Sequence, residues 1–226
     1  MAFEGVEGND EARFRERRLA MVQSQLRRRG IRDERVLEAF AAVPRHLFVP
    51  DSLRESAYAD GPLPIGHGQT ISQPLMIALM LDGLNLRGDE RVLDVGSGSG
   101  YQAALLAHMA REVVSIEVVP ELVQMARRNL ERAGITNVEV IEGDGSVGYA
   151  PRAPYDAIVV AAGSPDVPQA LVDQLAEDGR LVIPVGPRYG QSCHRLRKRQ
   201  GRIQHEDLGA CAFVPLVGEG GWAPGR

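Results

Sequence analysis

The sequence predicts an α/β domain built on a doubly wound, mostly parallel sheet, with extra helices at its N-terminus. From residue 74 onward, short apolar segments alternate with helical ones, and the apolar segments lack the polar alternation of a solvent-exposed sheet face. Continuous apolar strands separated by helices are typical of parallel sheets covered on both faces. After Pro187 two strand-like segments follow each other directly, at 193–199 and 208–217, which predicts an antiparallel C-terminal strand pair.

The individual elements follow from apolar periodicity and from the positions of Gly and Pro. A first helix is expected over 10–29, with Leu19, Val22 and Leu26 on one face, and a second begins at the capping residue Asp33. Residues 44–68 are rich in Pro and Gly, which predicts a loop with a short helix near 52–58. The core elements expected in chain order are helix 74–84, strand 91–95, helix 103–110, strand 113–116, helix 122–130, strands 138–141 and 157–160, helix 168–176 and strand 181–183.

Composition indicates one globular domain. The 226 residues are 44% hydrophobic and 25% charged, which is enough apolar material for a sizeable core. We expect a single domain over 1–226, with N-terminal helices and a lid in 10–74, a ligand-binding core in 75–217 and a tail in 218–226.

Charge and cysteine content limit the partners and the compartment. A net charge of −4 disfavours nucleic acid, and the basic runs Arg27–Arg29 and Arg195–Arg199 are interpreted as a solvated helix end and a polar edge strand. Cys193 and Cys211 lack metal-ligand spacing and predict free thiols in a reducing compartment. Because the N-terminus lacks a signal-peptide pattern and no apolar stretch could span a bilayer, we expect a cytoplasmic protein with no metal and no membrane contact.

A glycine-rich loop joins the strand at 91–95 to the following helix. Gly96, Gly98 and Gly100 allow a sharp turn and the close approach of a ligand. Dinucleotide-binding enzymes need the spacing Gly-x-Gly-x-x-Gly, whereas here the third glycine comes one residue early and Tyr101 takes its place. The loop therefore departs from the pattern of nicotinamide-dependent oxidoreductases.

Acidic residues stand at the ends of three successive predicted strands. Asp94 precedes the glycine loop, Glu117 ends the second strand and Asp144 follows the third within Gly143-Asp144-Gly145. Each alone is more often a helix cap or turn residue. Because the carboxyl ends of parallel strands meet at one edge, the three together predict a ligand site there.

The Gly-x-Gly-x-Gly loop with a preceding Asp resembles the methyl-donor loop of class I methyltransferases. After the fourth strand, the segment 161–165 offers no strongly polar side chain except Ser164. The methyl acceptor would then need little activation, as is true of a carboxylate that is already ionised at neutral pH.

Several further segments resemble one family within that superfamily, the protein-L-isoaspartate O-methyltransferases. The most distinctive is 63–74, which contains Thr70-Ile71-Ser72-Gln73-Pro74. The other matching segments are 43–50, 153–158, 167–171 and 213–216. The resemblance extends from about Met21 to Trp222.

This resemblance implies a Rossmann-like methyltransferase fold and a protein-repair activity. The methyl group of S-adenosyl-L-methionine would pass to the free α-carboxylate of an L-isoaspartyl residue in a damaged protein or peptide. The resulting methyl ester would collapse to a succinimide. The expected partners are isoaspartyl proteins and peptides, and we expect a monomer.

The resemblance also assigns roles to residues of this sequence. Glycines 96, 98 and 100, with Asp94 and Ser97, would lie along the methionine part of the cofactor, while Glu117 holds the ribose and Asp144 and Gly145 the adenine. Thr70, Ile71, Ser72 and Gln73 would form a loop over the sulfonium. Ser72 would be catalytic by donating to the acceptor carboxylate, although from the residues alone it also suits a helix N-cap before Pro74. Ile65 and Val214 would line the peptide groove.

Three other functions are compatible with parts of this sequence. A nicotinamide-dependent oxidoreductase would bind NAD rather than S-adenosylhomocysteine. A non-enzymatic adaptor would bind the cofactor without chemistry. A small-molecule carboxyl methyltransferase would share the reaction but lack a peptide groove.

Overall fold

The chain folds around a seven-stranded central sheet and a separate two-stranded hairpin. The computed structural model describes residues 4–188 and 190–223, so the ends of the predicted span 1–226 and of the tail 218–226 lie outside the described residues. The strands are β1 Leu63–Gly66, β2 Gln69–Ile71, β3 Arg91–Val95, β4 Glu112–Glu117, β5 Val138–Glu142, β6 Tyr155–Val160, β7 Leu175–Val185, β8 Gln191–Arg199 and β9 Arg202–Cys211. The α-helices are α1 Glu4–Met21, α2 Glu34–Ala42, α3 Pro74–Leu84, α4 Tyr101–Met109, α5 Pro120–Arg132 and α6 Gln169–Asp173.

The sheet confirms the predicted doubly wound architecture. Its strand order is β5-β4-β3-β6-β7-β8-β9, in which the first five strands are parallel and β8 and β9 are antiparallel. From β3 the chain first builds outward through β4 and β5, then returns to place β6 on the other side of β3. The point where the winding direction reverses lies at the carboxyl ends of β3 and β6, where ligands bind in open α/β sheets.

Two apolar cores cover the two faces of the sheet. Consecutive residues of a strand face opposite sides, and Val92 and Leu93 accordingly belong to different core clusters. The larger cluster brings the N-terminal helices onto the face that also carries α3 and α4. The N-terminal segment therefore packs on the core instead of forming a separate unit.

The predicted N-terminal helix ends at Arg29 as expected, but it begins at Glu4 instead of residue 10 and is not α-helical throughout. It is α-helical up to Met21, continues as a π-helical turn over Val22–Leu26 and as a 3₁₀ turn over Arg27–Arg29, and is followed by Gly30. Val22 and Leu26 are buried, but Leu19 is exposed, so its predicted place on the buried face is wrong. The wider π turn changes the angular step between residues, and a single 3.6-residue period does not describe the face across it.

The structure corrects three other predictions. In the segment 44–68, the short helix predicted near 52–58 is present as a 3₁₀ turn at Asp51–Ser56. The rest, predicted as a loop, contains a second 3₁₀ turn at Arg45–Phe48, and its end forms the hairpin β1–β2. The last strand ends at Cys211 and not at residue 217, since the chain then leaves the sheet before Pro215, which cannot donate a ladder hydrogen bond. The basic run 195–199 lies on β8, which β9 separates from the sheet edge.

We predict that Gly100 is indispensable for docking α4 onto α5. Gly100 caps α4 with a φ of +87°, and a Cβ there would lie 3.2 Å from the Cα and carbonyl oxygen of Ala126. Gly134 also has a positive φ, +69°, but has open space around it. Gly134→Ala should cost about 1–2 kcal/mol for the backbone conformation alone, and Gly100→Ala about 1–3 kcal/mol more for the added collision. Equal losses in urea unfolding of the two variants would contradict this account.

Candidate functional site

A cleft opens at the carboxyl ends of β3, β4 and β6. Its walls come from the exit of the β1–β2 hairpin at 69–72, the glycine loop at 95–99, the end of β4 at 116–118 and the segment 214–217. Gly145, residues 161–162, Ile77 of α3 and the first two residues of α4, Tyr101 and Gln102, complete the lining. The cleft thus coincides with the reversal of the sheet winding, and segments outside the sheet close it on two sides.

The glycine loop forms the floor of the cleft. Gly96, Gly98 and Gly100 all have positive φ values, of +90°, +51° and +87°. The loop is held to β4 because the N–H groups of Gly96 and Ser97 both donate to the Ile116 carbonyl, at 2.9 and 3.2 Å. Ile65 of the hairpin lies directly over the loop, since a Cβ on Gly98 would be 3.3 Å from its Cδ1 atom.

The Glu117 carboxylate is fixed beside this loop. Its Oε2 accepts from the Gly98 N–H at 2.9 Å, and its Oε1 accepts from the N–H groups of Val118 and Val119 at 2.9 and 3.0 Å. The residue is only 7% exposed. A carboxylate has about four acceptor positions, so roughly one remains for a donor in the cleft, such as a sugar hydroxyl.

Asp94 lies beneath the loop, outside the lining of the cleft. It is fully buried, and its oxygens accept from Gln102 Nε2 at 2.7 Å and from Ser115 Oγ at 2.6 Å. Burial raises the pKa of this carboxyl to about 6, although the two donors oppose that rise. Asp94 therefore connects β3, β4 and α4 under the floor, and Gln102 in turn lines the cleft.

Asp144 holds a segment that we call the C-terminal strap, residues 212–223. Its Oδ1 accepts from the N–H and the hydroxyl of Ser146, at 2.8 and 2.6 Å, and its Oδ2 accepts from the Glu219 N–H at 2.8 Å. The side chain borders a recess next to the main cleft, where it meets Val118 and Val217. Val118 is 46% exposed, which provides an apolar surface beside the glycine loop.

Gly145 lets the turn after β5 lie against the strand ends. A Cβ at this position would come within 2.5 Å of Val95 Cγ1 and 2.9 Å of Ile116 Cγ2. The backbone of Gly145 itself lines the cleft. The turn can therefore lie this close to the ends of β3 and β4 only with glycine at this position.

Trp222 holds the strap at its far end. Its indole Nε1 donates to the Gly163 carbonyl at 3.0 Å, and the Arg188 guanidinium lies 5.0 Å from the centre of the indole. The Gly163 N–H donates to the Val214 carbonyl at 2.7 Å, which places 214–217 along the cleft. The strap is thus connected both to the end of β6 and to Asp144.

The β1–β2 hairpin and its exit form the opposite wall, through Thr70, Ile71 and Ser72. Gln73, and not Ser72, takes the N-cap position of α3, and no side-chain cap bond forms there, so the interpretation of Ser72 as the helix N-cap is wrong. Within the described residues, the Ser72 hydroxyl takes part in no hydrogen bond. It stays available to a ligand in the cleft.

The structure brings most of the predicted site residues together. The predicted residues that line the cleft are Thr70, Ile71, Ser72, Gly96, Ser97, Gly98, Glu117, Gly145 and Val214. Five others stand behind this lining, where they support it through contacts within the protein: Ile65, Gln73, Asp94, Gly100 and Asp144. The Gln73 side chain, for example, donates to Asp60 at 2.7 Å and turns away from the cleft.

Sequence reasoning missed several lining residues. Tyr101 and Gln102, in the first turn of α4, both line the cleft, as do Ala161 and Leu216. In the sequence, Tyr101 is notable only because it occupies the position of the third glycine in the dinucleotide-binding pattern. The apolar residues have no chemical signature by which sequence alone could select them.

Comparison with known proteins identifies the family. The model of the family described as protein-L-isoaspartate(D-aspartate) O-methyltransferase matches residues 16–221. The chain belongs to this family. A protein-L-isoaspartate O-methyltransferase of Methanoculleus marisnigri is 57% identical over 92% of this chain and 94% of its own length, and one of Syntrophus aciditrophicus is 50% identical over 93% and 98%.

Solved structures agree with this family assignment. A Plasmodium falciparum protein, described as a candidate protein-L-isoaspartate O-methyltransferase in complex with S-adenosyl-L-homocysteine, has a TM-score of 0.78 and 33% identity, over 88% of this chain and 98% of its own. A second protein-L-isoaspartate O-methyltransferase structure has a TM-score of 0.79 and 30% identity, over 92% and 67% of the two chains. Family membership confirms the predicted resemblance and excludes the nicotinamide-dependent oxidoreductase.

Across residues 4–188 and 190–223, no three His, Cys, Asp or Glu side chains are grouped so that they could hold a metal ion. None of the helices in these ranges is both long and apolar enough to cross a bilayer.

We predict that ionisation of Asp94 destabilises the ligand-free protein. Its pKa is raised from 3.8 to about 6, so between these values the folded state holds a proton that the unfolded state has lost. Stability therefore falls as pH rises through this window, by about 3 kcal/mol in all. Asp94→Asn cannot titrate, so the stability of the wild type relative to this variant should fall by about 2.4 kcal/mol of this total between pH 4 and pH 7 in urea unfolding. A difference that does not change with pH would contradict the prediction.

Proposed function

We propose that this cleft carries out the reaction of its family with the residues that line it. The reaction transfers the methyl group of S-adenosyl-L-methionine to the free α-carboxylate of an L-isoaspartyl residue, and the methyl ester then collapses to a succinimide. The observation that carries the proposal is the position of Ser72 in a cleft whose floor is the glycine loop, with its hydroxyl bonded to none of the described residues. The two sides suit a methyl donor below and a carboxylate acceptor above.

The lining fits a nucleoside with an amino-acid tail. The backbone of Gly145 and the apolar Val118 suit the flat adenine, and the remaining acceptor position of Glu117 suits a ribose hydroxyl. The glycine loop suits the methionine part. S-adenosyl-L-methionine supplies, when bound, a methyl group on a positively charged sulfur.

Ser72 would orient the acceptor. An α-carboxylate is ionised at neutral pH, so the acceptor oxygen already carries its reactive electron pair and the site needs no general base. The oxygen–methyl bond forms as the sulfur–methyl bond breaks, the sulfur keeps the electron pair of that bond, and no proton moves. The Ser72 hydroxyl would donate to one carboxylate oxygen and leave the other facing the methyl carbon. Orientation of this kind supplies up to about 7–11 kcal/mol of rate enhancement in favourable cases.

The supporting residues would act through the walls. Ile65 would hold the hairpin against the glycine loop, Gln73 would hold its exit through Asp60, and Asp144 would hold the strap. Val214 would border the peptide as well as the cofactor. In this division of the chain, 10–74 supplies the helices and lid, 75–217 supplies the cofactor site, and 218–226 supplies the tail.

We also propose an oligomeric state and a location for the protein. We place the protein as a monomer in the cytoplasm. The supporting observation for a reducing compartment is that Cys193 and Cys211 are both free and buried. Sedimentation equilibrium of the full chain would test the monomer, because a mass twice that of the chain would overturn it.

The substrate class is tested with two peptides that differ only in Asp against isoAsp at one position. We expect labelled methyl incorporation into the isoAsp peptide alone, because only that isomer presents a free α-carboxylate on the shortened branch. Incorporation into both peptides, or into a small carboxylic acid at the same rate, would favour a general carboxyl methyltransferase.

The role of Ser72 is tested with Ser72→Ala. One hydroxyl donor to a charged acceptor contributes about 1.5–3 kcal/mol, so turnover of the isoAsp peptide should fall by about 10- to 100-fold. The affinity for S-adenosylhomocysteine, measured by calorimetry, should change by less than about 3-fold. Ser56→Ala is the control, because Ser56 is exposed and outside the cleft. Unchanged turnover in Ser72→Ala would remove Ser72 from the mechanism.

A further inference from the structure

Arg45 is a buried cation without a counter-ion. Its side chain is among the largest fully buried ones, at 0% exposure, and no carboxylate of the described residues forms an ion pair with it. Burial lowers its pKa to about 10, so it stays charged at neutral pH. A buried charge that lacks a counter-ion is costly, so a protein that keeps one needs a compensating use for it.

The guanidinium joins three separate parts of the chain. Its Nε donates to the Ala57 carbonyl at 2.8 Å, and its Nη2 donates to the Ser72 carbonyl at 2.9 Å. Its central carbon lies 4.9 Å from the ring centre of Tyr101, close enough for a cation–π contact. Arg45 thus connects the segment after the 3₁₀ turns, the exit of the hairpin and the first residue of α4.

Two of these partners belong to the cleft wall. Ser72 and Tyr101 both line the cleft, so the guanidinium lies directly behind them. The hydrogen bond from Nη2 holds the peptide plane that follows Ser72, and this restricts the direction of the Ser72 Cα–Cβ bond. Among the described residues, none forms a hydrogen bond with the Ser72 hydroxyl, so its place depends on the backbone that carries it.

We propose that Arg45 is a positioning residue for methyl transfer, which holds Ser72 in place through the Ser72 carbonyl and Tyr101. The inference rests on the role given to Ser72 above. Arg45 contacts the lining residues Ser72 and Tyr101 from the side away from the cleft. It therefore affects turnover through the position of Ser72, and the glycine loop that forms the floor of the cleft is unchanged.

A double-mutant cycle tests this coupling. The four proteins are the wild type, Arg45→Met, Ser72→Ala and the double variant, assayed for kcat and KM with the isoAsp peptide and for S-adenosylhomocysteine affinity. We expect Arg45→Met to lower kcat by about 10-fold in the wild type but by less than about 3-fold when Ser72 is already Ala, because coupled residues are not additive. Affinity for S-adenosylhomocysteine should change by less than about 3-fold, which also shows that the variants fold.

Two further variants keep the result decisive. Arg54→Met, in the neighbouring 3₁₀ turn, removes a guanidinium that pairs with the exposed Asp51 and should leave kcat unchanged. Arg45→Lys keeps the buried cation but cannot reach Ala57 and Ser72 with the same fork, so it should lower kcat by an intermediate factor. If Arg45→Met does not fold, the cycle is run with Arg45→Lys, and the same loss of additivity is required.

The outcomes separate the two proposals. Equal kcat losses from the Arg45 substitution with and without the Ser72 hydroxyl would overturn the role of Arg45 and leave that of Ser72 intact. A kcat loss in Arg54→Met as large as in Arg45→Met would also overturn it, as a general effect of the segment. If Ser72→Ala alone had no effect on kcat, the proposed role of Ser72 would fail first, and that of Arg45 with it.

Discussion

The hydrogen bond from the Gly98 N–H to Glu117 determines the shape of the whole site. It joins the glycine loop after β3 to the end of β4, while the Ile116 carbonyl holds the N–H groups of Gly96 and Ser97 one residue earlier. With the loop held in this way, its backbone forms the floor of the cleft. Every other wall is placed with respect to that floor.

Two structures that are not part of the parallel core enclose the floor. The β1–β2 hairpin lies over Gly98 through Ile65, and its exit presents Ser72. The C-terminal strap runs along the other side and is held by Asp144 and Trp222. A methyl transfer between charged partners benefits from such enclosure, because water that surrounds the acceptor carboxylate would otherwise have to be moved during the reaction.

Three buried charged residues lie in or behind the walls of the cleft, and each has different hydrogen-bond partners. Asp94 lies under the floor with two side-chain donors and a raised pKa. Glu117 accepts hydrogen bonds from three backbone N–H groups. Arg45 is shared between two backbone carbonyls and an aromatic ring. Each of the three joins parts of the chain that meet at the cleft. These buried charges therefore serve mainly to keep the walls of the site in place relative to one another.

Local sequence determined the parallel core and the positions of its ligand-facing turns. The apolar segments predict the strands, and the glycines around residues 91–100 predict the turn that faces the ligand. Helix α3 and strand β3 have the predicted bounds. Glu117 could be predicted as a site residue because the carboxyl ends of neighbouring parallel strands must share an edge. These features depend on periods of a few residues, which the chain displays directly.

Only the tertiary structure decided which side chains face the cleft and which stand behind it. Asp144 meets Glu219 across 75 residues, and Arg45 meets Ser72 across 27. The short strands of the hairpin, the exposed Leu19 and the early end of β9 likewise depend on how segments pack after the chain has folded. A carboxylate or guanidinium looks the same in sequence whether it binds a ligand or a distant backbone group, because that choice is made by long-range packing.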